Sequence, residues 1–221
     1  MIFYASPLSS YSAKVRIVLV AKGVEFEERE PPGGYRSEAY RAIVPMGTLP
    51  AIDDGGFVLS ESEAINEYLE ERFPEPPLLP VGPAARARTR FLSRFHDLYL
   101  EPPLRALFPH IAPANRDTGV VDSRSAEFRR RLGQLAAMIQ PSPFVAGDRF
   151  SLADCGFAVS LPLASILFEA LGDPLVPPAP VRDWQSALAG HPAVDAALLP
   201  WHAATAAWIS SRLEHTTDKR P

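Results

Sequence analysis

Cysteine is nearly absent from this sequence. Cys155 is the single cysteine in 221 residues, so no disulfide can form within the chain, and a reducing, cytoplasmic setting is expected. No apolar run reaches ~18 residues, which argues against a membrane span. The first ten residues also lack the basic start and apolar stretch of a secretory signal. We therefore expect a cytoplasmic protein that does not use a membrane as a partner.

Metal and nucleic-acid sites lack their usual signatures. His96 and His110 do not have metal-ligand spacing, and no glycine-rich phosphate loop is present. The net charge of −4 argues against nucleic acid as the main partner. Residues 1–80 carry 7 basic and 13 acidic side chains, a net charge of −6, whereas the remainder has a net charge of +2. This asymmetry favours two domains, or surfaces that meet.

The apolar pattern of the first 73 residues predicts elements in the order βαβαββα. Its clearest segment is "LPAIDDGGFVLSES" (49–62), in which an Asp-Gly turn joins two short strands ahead of a helix. The stretch "FPEPPLLPVGP" (73–83) has five prolines in eleven residues and predicts a linker. We therefore divide the chain into an α/β domain (1–73), a linker (74–84) and an all-α domain (85–221).

Helical signals dominate after the linker. One long helix is expected from near Ala84 past Tyr99, to be ended or kinked by Pro102 and Pro103. The apolar stretch 150–171 opens with a capping pattern and predicts a central, buried helix. The polar end, "EHTTDKRP", is expected to be loose.

Three local signals carry possible chemistry. Serines in "PLSSYSAKVR" (7–16) stand where the first helix begins, beside unpaired N–H groups that bind anions or stabilise a thiolate. The Leu-Pro bond in "VPMGTLP" (44–50) is a candidate cis peptide that would present the backbone of Leu49 to a peptide-like ligand. In "SESEAI" (60–65), a Glu-Ser pair opens the third helix. Taken alone, each is better explained as a helix cap or an ordinary strand entry.

In this order the three signals resemble the glutathione-binding domain of cytosolic glutathione S-transferases. The segment "SSYSAKVR" is similar to the serine-type site of the zeta class, Ser-Ser-Cys-x-x-x-Val-Arg, and "FVAGDRFSLADC" (144–155) is similar to the start of the family's core helix. The resemblance implies a thioredoxin-like N-terminal domain, an all-α C-terminal domain that forms the electrophile pocket, glutathione as co-substrate, and a homodimer. No metal is expected.

The resemblance also assigns roles to individual residues. It makes Ser9 the thiolate-stabilising group and Ser10 the second candidate for that role. It also implies that the backbone of Leu49, before a cis Pro50, binds the cysteinyl part of glutathione. The remaining glutathione contacts fall on Thr48, Glu61 and Ser62. Thr48 stands near the expected glycyl carboxylate, where the family often has Lys or Gln.

Several residues depart from the pattern or are expected to be structural. Tyr11 replaces the zeta-class cysteine and Val44 replaces a common Asn. Tyr4 falls one residue early for a catalytic tyrosine, on the opposite face of its strand. Cys155 lies in an apolar helix, where packing is the expected role.

The activity implied is transfer of glutathione to a hydrophobic electrophile. One alternative is a glutathione-dependent cis-trans isomerase of maleylacetoacetate or maleylpyruvate type, which needs cations for substrate carboxylates; Arg16, Arg36 and Arg41 are candidates. The other alternative is a non-catalytic binding module.

A charge pattern bears on the expected dimer. We expect an acidic stripe on the third helix to face a basic stripe on the next helix of a second subunit. The acidic stripe is Glu63, Glu67, Glu70 and Glu71, and the basic stripe is Arg86, Arg90 and Arg94.

Overall fold

The computed structural model describes residues 1–214, and its N-terminal part is a sheet with helices packed against it. The elements of this part are β1 (Ile2–Tyr4), α1 (Ser10–Ala21), β2 (Glu27–Arg29), α2 (Glu38–Arg41), β3 (Ala51–Asp54), β4 (Phe57–Ser60) and α3 (Ser62–Arg72). The strands lie in the order β2-β1-β3-β4. β1 is parallel to β2 and antiparallel to β3, so the sheet is mixed. The predicted βαβαββα order is confirmed.

Helix α1 is the most enclosed element of this part. Ser9 caps its start by accepting a hydrogen bond from the N–H of Ser12 at 3.2 Å. Its side chains from Ser12 to Leu19 are all buried, including two that carry charge. Burial on every side follows from its position, because α1 packs against α3 and also against two helices of the C-terminal part.

The remainder of the described chain is helical. Its elements are α4 (Pro83–Phe95), a π-helical turn (His96–Leu100), α5 (Glu101–Arg105), two 3₁₀ turns (Phe108–His110 and Pro113–Asn115), α6 (Thr118–Met138), α7 (Leu152–Leu171), α8 (Ala179–Ala189) and α9 (Pro192–Glu214). Together with the mixed sheet, this confirms the fold class, a thioredoxin-like α/β part followed by an all-α part. The domain boundaries stay a prediction. Apart from Glu214, the C-terminal segment expected to be loose lies outside the described residues.

The predicted long helix after the linker runs on through Pro102 and Pro103. Helix α4 passes through the π-helical turn into α5 and ends only at Arg105. Pro102 and Pro103 therefore do not end it. Their rings would collide with carbonyls one turn earlier in a regular α-helix, and the wider turn stands directly before them.

A buried ion pair fixes the proline-rich linker. The Lys22 ammonium lies 2.6 Å from a carboxylate oxygen of Glu70, and both side chains are buried. Lys22 also donates to the carbonyls of Phe73 and Pro76. Glu70 in turn accepts hydrogen bonds from the backbone N–H groups of Leu78 and its neighbour. The first half of the linker is thus held to the first part by polar contacts.

Helix α7 is the centre of the C-terminal part. A reciprocal capping box joins Ser151 and Asp154 at its start, as its sequence predicts. The Asp154 carboxylate also accepts from the indole N–H of Trp184 at 2.7 Å. By length and composition α7 alone, among the described helices, is apolar enough to cross a membrane, but 78% of that stretch is buried inside the protein. This burial agrees with its role as a core helix.

Candidate functional site

A cleft of about 890 Å³ lies between the sheet part and the helices α4 and α5. Six of the seven residues predicted from sequence line it, and Ser10 does not. The side contributed by the first part consists of Ser6, Leu8, Ser9, Tyr11, Tyr35, Thr48, Leu49, Pro50, Glu61, Ser62, Glu63 and Ala64. The helical side consists of Arg94, Asp97, Leu98, Arg105 and Phe108.

Ser9 reaches the cleft at the N-terminus of α1. Its hydroxyl oxygen accepts from the N–H of Ser12, as an N-cap does. The hydroxyl hydrogen has no acceptor within residues 1–214, so it is available to a ligand in the cleft. The N-terminus of a helix also carries a positive partial charge. Both features favour an anion beside Ser9.

Ser10, the reserve candidate, points elsewhere. Its side chain is 6% exposed and donates to Glu101 at 3.3 Å. It also accepts from the guanidinium of Arg105 at 2.9 Å. The physical reason is helix geometry, because consecutive residues of α1 differ by about 100° in direction. Only Ser9 of the pair therefore faces the cleft.

The predicted cis peptide is present between Leu49 and Pro50. Leu49 precedes β3, and its backbone N–H and C=O make no hydrogen bond with the described residues, which leaves them open to a ligand. Thr48 is less suited to contact. Its carbonyl accepts from the hydroxyl of Tyr40 at 2.9 Å, and its own hydroxyl is buried without a partner among residues 1–214.

Glu61 and Ser62 form the entry to α3. Glu61 has a φ of 76°, in the left-handed region that non-glycine residues rarely adopt. Its side chain is exposed and makes no capping hydrogen bond, so the first N–H groups of α3 keep their capacity to donate. Both residues line the cleft. A strained residue ahead of an uncapped helix start suits the binding of a carboxylate.

A buried ammonium joins two carboxylates at the cleft wall. Lys14, whose side chain is 1% exposed, lies 2.7 Å from Glu63 and 3.0 Å from Asp97. Burial would raise the pKa of Asp97, but its hydrogen bond with His96 and the charge of Lys14 outweigh burial and lower that pKa to about 2. The cleft wall therefore carries the ionised carboxylate of Asp97, whose charge is compensated by the buried ammonium of Lys14.

His96 links this group to α7. One ring nitrogen lies 2.8 Å from Asp97 and the other 2.8 Å from the hydroxyl of Ser160. This order of Ser, His and Asp resembles a hydrolytic triad, but Ser160 is fully buried and no substrate can reach it. His96 is accordingly a packing residue.

Arg105 forms a second polar group on the helical side. Its guanidinium donates through Nε and Nη2 to the carboxylate of Glu101, which is 1% exposed. The carboxylate oxygen Oε2, which accepts from Nε of Arg105, also accepts from the hydroxyl of Tyr11 at 3.1 Å. Burial, followed by the charge of Glu101, raises the pKa of Tyr11, which keeps its hydroxyl protonated.

Comparisons with known proteins agree with this geometry. Residues 3–77 match the family model described as the N-terminal domain of glutathione S-transferase. A stringent starvation protein A homolog of Coxiella burnetii is 49% identical over 159 residues, which make up 72% of this chain and 73% of that protein. The chain belongs to the cytosolic glutathione S-transferase family.

Two solved glutathione S-transferases share its fold. The holo structure of a bacterial, zeta-class maleyl pyruvate isomerase is 26% identical, with a TM-score of 0.74 over 89% of this chain and 96% of that one. A theta-class transferase from Xanthomonas axonopodis pv. citri, with glutathione bound, is 25% identical, with a TM-score of 0.75 over 90% and 96%.

Part of the predicted charge stripes is paired within one chain, which corrects that part of the dimer prediction. Glu67 of α3 forms an ion pair with Arg90 of α4 at 2.7 Å. Glu63 and Glu70 are likewise satisfied internally, by Lys14 and Lys22. These pairs do not remain available to a second subunit.

The structure also places the three arginines considered for substrate carboxylates, and the residues Tyr4 and Cys155. Arg16 pairs with Glu28 at 2.6 Å, and neither it, Arg36 nor Arg41 lines the cleft. Tyr4 is 6% exposed and packs on another tyrosine, and Cys155 is fully buried, so both are structural as expected. Burial raises the pKa of the Cys155 thiol well above its usual range.

Proposed function

We propose that this member of the family binds glutathione in the cleft and transfers it to an electrophile. The theta-class relative with glutathione bound supports the ligand. Ser62 and the start of α3 would take the α-carboxylate of its γ-glutamyl end, and Glu61 the ammonium. The open backbone of Leu49 would pair with the cysteinyl part, as an added strand does.

The hydroxyl of Ser9 carries the proposal. Its oxygen is engaged as a cap and its hydrogen is not, so it can donate to a thiolate held at the helix N-terminus. Stabilising the thiolate by one pKa unit needs only ~1.4 kcal/mol, within reach of one charge-assisted hydrogen bond. The thiolate then attacks the electrophilic carbon and displaces its leaving group, and the protein supplies no covalent nucleophile. Its contributions are thiolate stabilisation and positioning.

The acceptor would sit against the apolar side of the cleft. Leu8 and Leu98 are 39% and 53% exposed and line it together with Tyr35 and Phe108. Exposed apolar side chains that line a cleft gain from covering by an apolar ligand. This arrangement suits an electrophile with a hydrophobic body.

Ser9→Ala tests the mechanism with an aryl chloride as acceptor. Turnover is expected to fall about tenfold or more, because a rise of one pKa unit removes most thiolate at neutral pH. Glutathione should still bind, since its main contacts lie elsewhere. Asp117→Ala is the matched control: it removes the N-cap of α6, which does not line the cleft, and should lower stability without lowering turnover. If Ser10→Ala abolishes turnover and Ser9→Ala does not, the assignment is wrong by one residue.

An isomerase is the second candidate, and the zeta-class maleyl pyruvate isomerase among the relatives favours it. In that reaction the thiolate adds to the substrate and leaves again, so glutathione is not consumed. Maleylacetone isomerisation, measured beside the aryl chloride reaction, distinguishes the two by glutathione consumption.

A non-catalytic module remains the third candidate, since the Coxiella burnetii relative is named for starvation and not for a transferase. Glutathione binding without either turnover would favour it.

We further propose a cytoplasmic homodimer. Because Glu67 pairs with Arg90 of the same chain, this proposal does not rest on charge pairs between the two subunits. Apolar side chains near α3 and α4 would supply the contact instead; Phe57 and Phe91 are 49% and 44% exposed. Sedimentation of the wild type against Phe57→Ser tests this, and a monomeric wild type would overturn it.

A further inference from the structure

Arg105 is held in one position before any ligand arrives. Its Nε and Nη2 groups donate to Glu101, and Nη2 also donates to Ser10 at 2.9 Å. The guanidinium lies over the ring of Tyr11, 4.9 Å from its centroid, and 5.4 Å from the centroid of Phe108. A guanidinium fixed by hydrogen bonds and aromatic rings loses little conformational entropy when it binds an anion.

One end of this guanidinium remains free. The Nη1 group makes no hydrogen bond with residues 1–214, and Arg105 lines the cleft. Glu101 and Ser10, which occupy the other donors, do not line it. Two N–H donors of this lining residue are therefore unpaired, while the carboxylate that neutralises its charge belongs to a residue outside the lining. Tyr11 keeps Glu101 in place by donating to its Oε2 at 3.1 Å.

Arg105 lines the same cleft as Ser9, where the thiolate is expected. Ser10, which holds Arg105, directly follows Ser9, and neighbouring Cα atoms are about 3.8 Å apart. The acceptor substrate must occupy this space if it is to be attacked by a thiolate at Ser9. Phe108 and Leu98 cover the same side with apolar surface.

We propose that the acceptor substrate carries a carboxylate, which binds to Nη1 of Arg105 while its apolar body covers Leu98 and Phe108. Arg105 thus selects the substrate class, an anionic electrophile, and Tyr11 positions it through Glu101. This inference rests on the proposed glutathione site, and it holds for transfer and for isomerisation alike.

Binding of glutathione conjugates tests the inference without requiring turnover. Calorimetry would compare S-benzylglutathione with its meta- and para-carboxybenzyl counterparts, on the wild type, Arg105→Gln and Arg130→Gln. Arg130 is an exposed arginine of α6 whose nearest carboxylate lies at 3.8 Å, so its variant controls for the loss of one charge. In Arg105→Gln we expect at least one carboxybenzyl conjugate to bind about tenfold more weakly, and S-benzylglutathione to change by less than about twofold. Arg130→Gln should change neither.

Every other result counts against the proposal in an identifiable way. Equal weakening of all conjugates in Arg105→Gln would mean that Arg105 supports glutathione or the fold. No weakening of any would mean that no carboxylate reaches it. Binding of none by the wild type would overturn the glutathione site as well. A kinetic version of this test compares the turnover of chlorodinitrobenzoate with that of its methyl ester in the same three proteins. Arg105→Gln should lower kcat/KM for the acid alone. An equal loss for the acid and the ester would place Arg105 at the thiolate.

Discussion

The buried carboxylate of Asp97 offers a quantitative test of the electrostatics at the cleft wall. The perturbation is Asp97→Asn, which keeps the shape of the side chain and removes its charge. In the wild type this carboxylate contacts Lys14 at 3.0 Å and His96 at 2.8 Å, and 11% of it is exposed. The substitution leaves Lys14 with a single carboxylate partner, Glu63.

The pKa of Asp97 sets the size of the expected change in stability and its dependence on pH. Its ordinary value is 3.8, and in the folded protein it lies at about 2. A carboxylate whose pKa is lowered by folding adds stability at pH values above its ordinary pKa. That stability is lost as the pH falls through the pKa of the folded protein. The difference corresponds to about 2 kcal/mol of unfolding free energy, present at pH 5 and lost between about pH 4 and pH 2.

Urea unfolding followed by tryptophan fluorescence measures this contribution, because Trp184 and Trp201 are fully buried. Asp97→Asn should be less stable than the wild type by about 2 kcal/mol at pH 5, and the difference should shrink towards pH 2. Asp154, whose pKa burial raises to about 6, is present in both proteins and cancels. Asp173→Asn, which removes a 60% exposed partner of Arg129, should cost less than about 1 kcal/mol. A difference between wild type and Asp97→Asn that is constant with pH would refute the reasoning.

Three further predictions concern packing and buried charge. Lys22→Met should lower the free energy of unfolding by about 3–5 kcal/mol in urea titration, because it leaves Glu70 buried without its cation; an effect below about 1 kcal/mol would contradict this. Gly156→Ala should destabilise by about 1–3 kcal/mol in thermal unfolding, since its Cβ would stand 2.7 Å from the ring of His96, and unchanged stability would show that the ring can move. The Cys155 thiol, fully buried and with a raised pKa, should react with a disulfide reagent only after denaturant is added; reaction in the native state would argue against its burial.

The part of the site that sequence could predict depends on the local chain. A serine ahead of a helix, a Leu-Pro bond before a strand and a Glu-Ser pair at a helix start each act through neighbours within a few residues. Ser9, Leu49 and Ser62 are therefore found in the cleft as expected. Which of Ser9 and Ser10 faces the cleft depends on the helix phase, and the structure places Ser9 there.

The helical side of the cleft depends on contacts between distant residues. Lys14 and Asp97 are 83 positions apart, and Ser10 and Arg105 are 95 apart. In the sequence these charges look like the solvated face of a helix. The prediction for the acidic stripe of α3 failed for the same reason. Packing between distant residues decides which side chains face the stripe, and Glu63 and Glu67 pair with residues of the same chain. The π-helical turn had no sequence signal beyond the two prolines that follow it.

The pKa of the thiol of bound glutathione tests the central claim most directly. It can be followed by the ultraviolet absorbance of the thiolate as the pH is varied, for the wild type, Ser9→Ala and the capping control Asp117→Ala. The account predicts a pKa clearly below that of a free thiol, about 8.5, in the wild type and the control, and about one unit higher in Ser9→Ala. An equal thiol pKa in the wild type and Ser9→Ala would contradict the account.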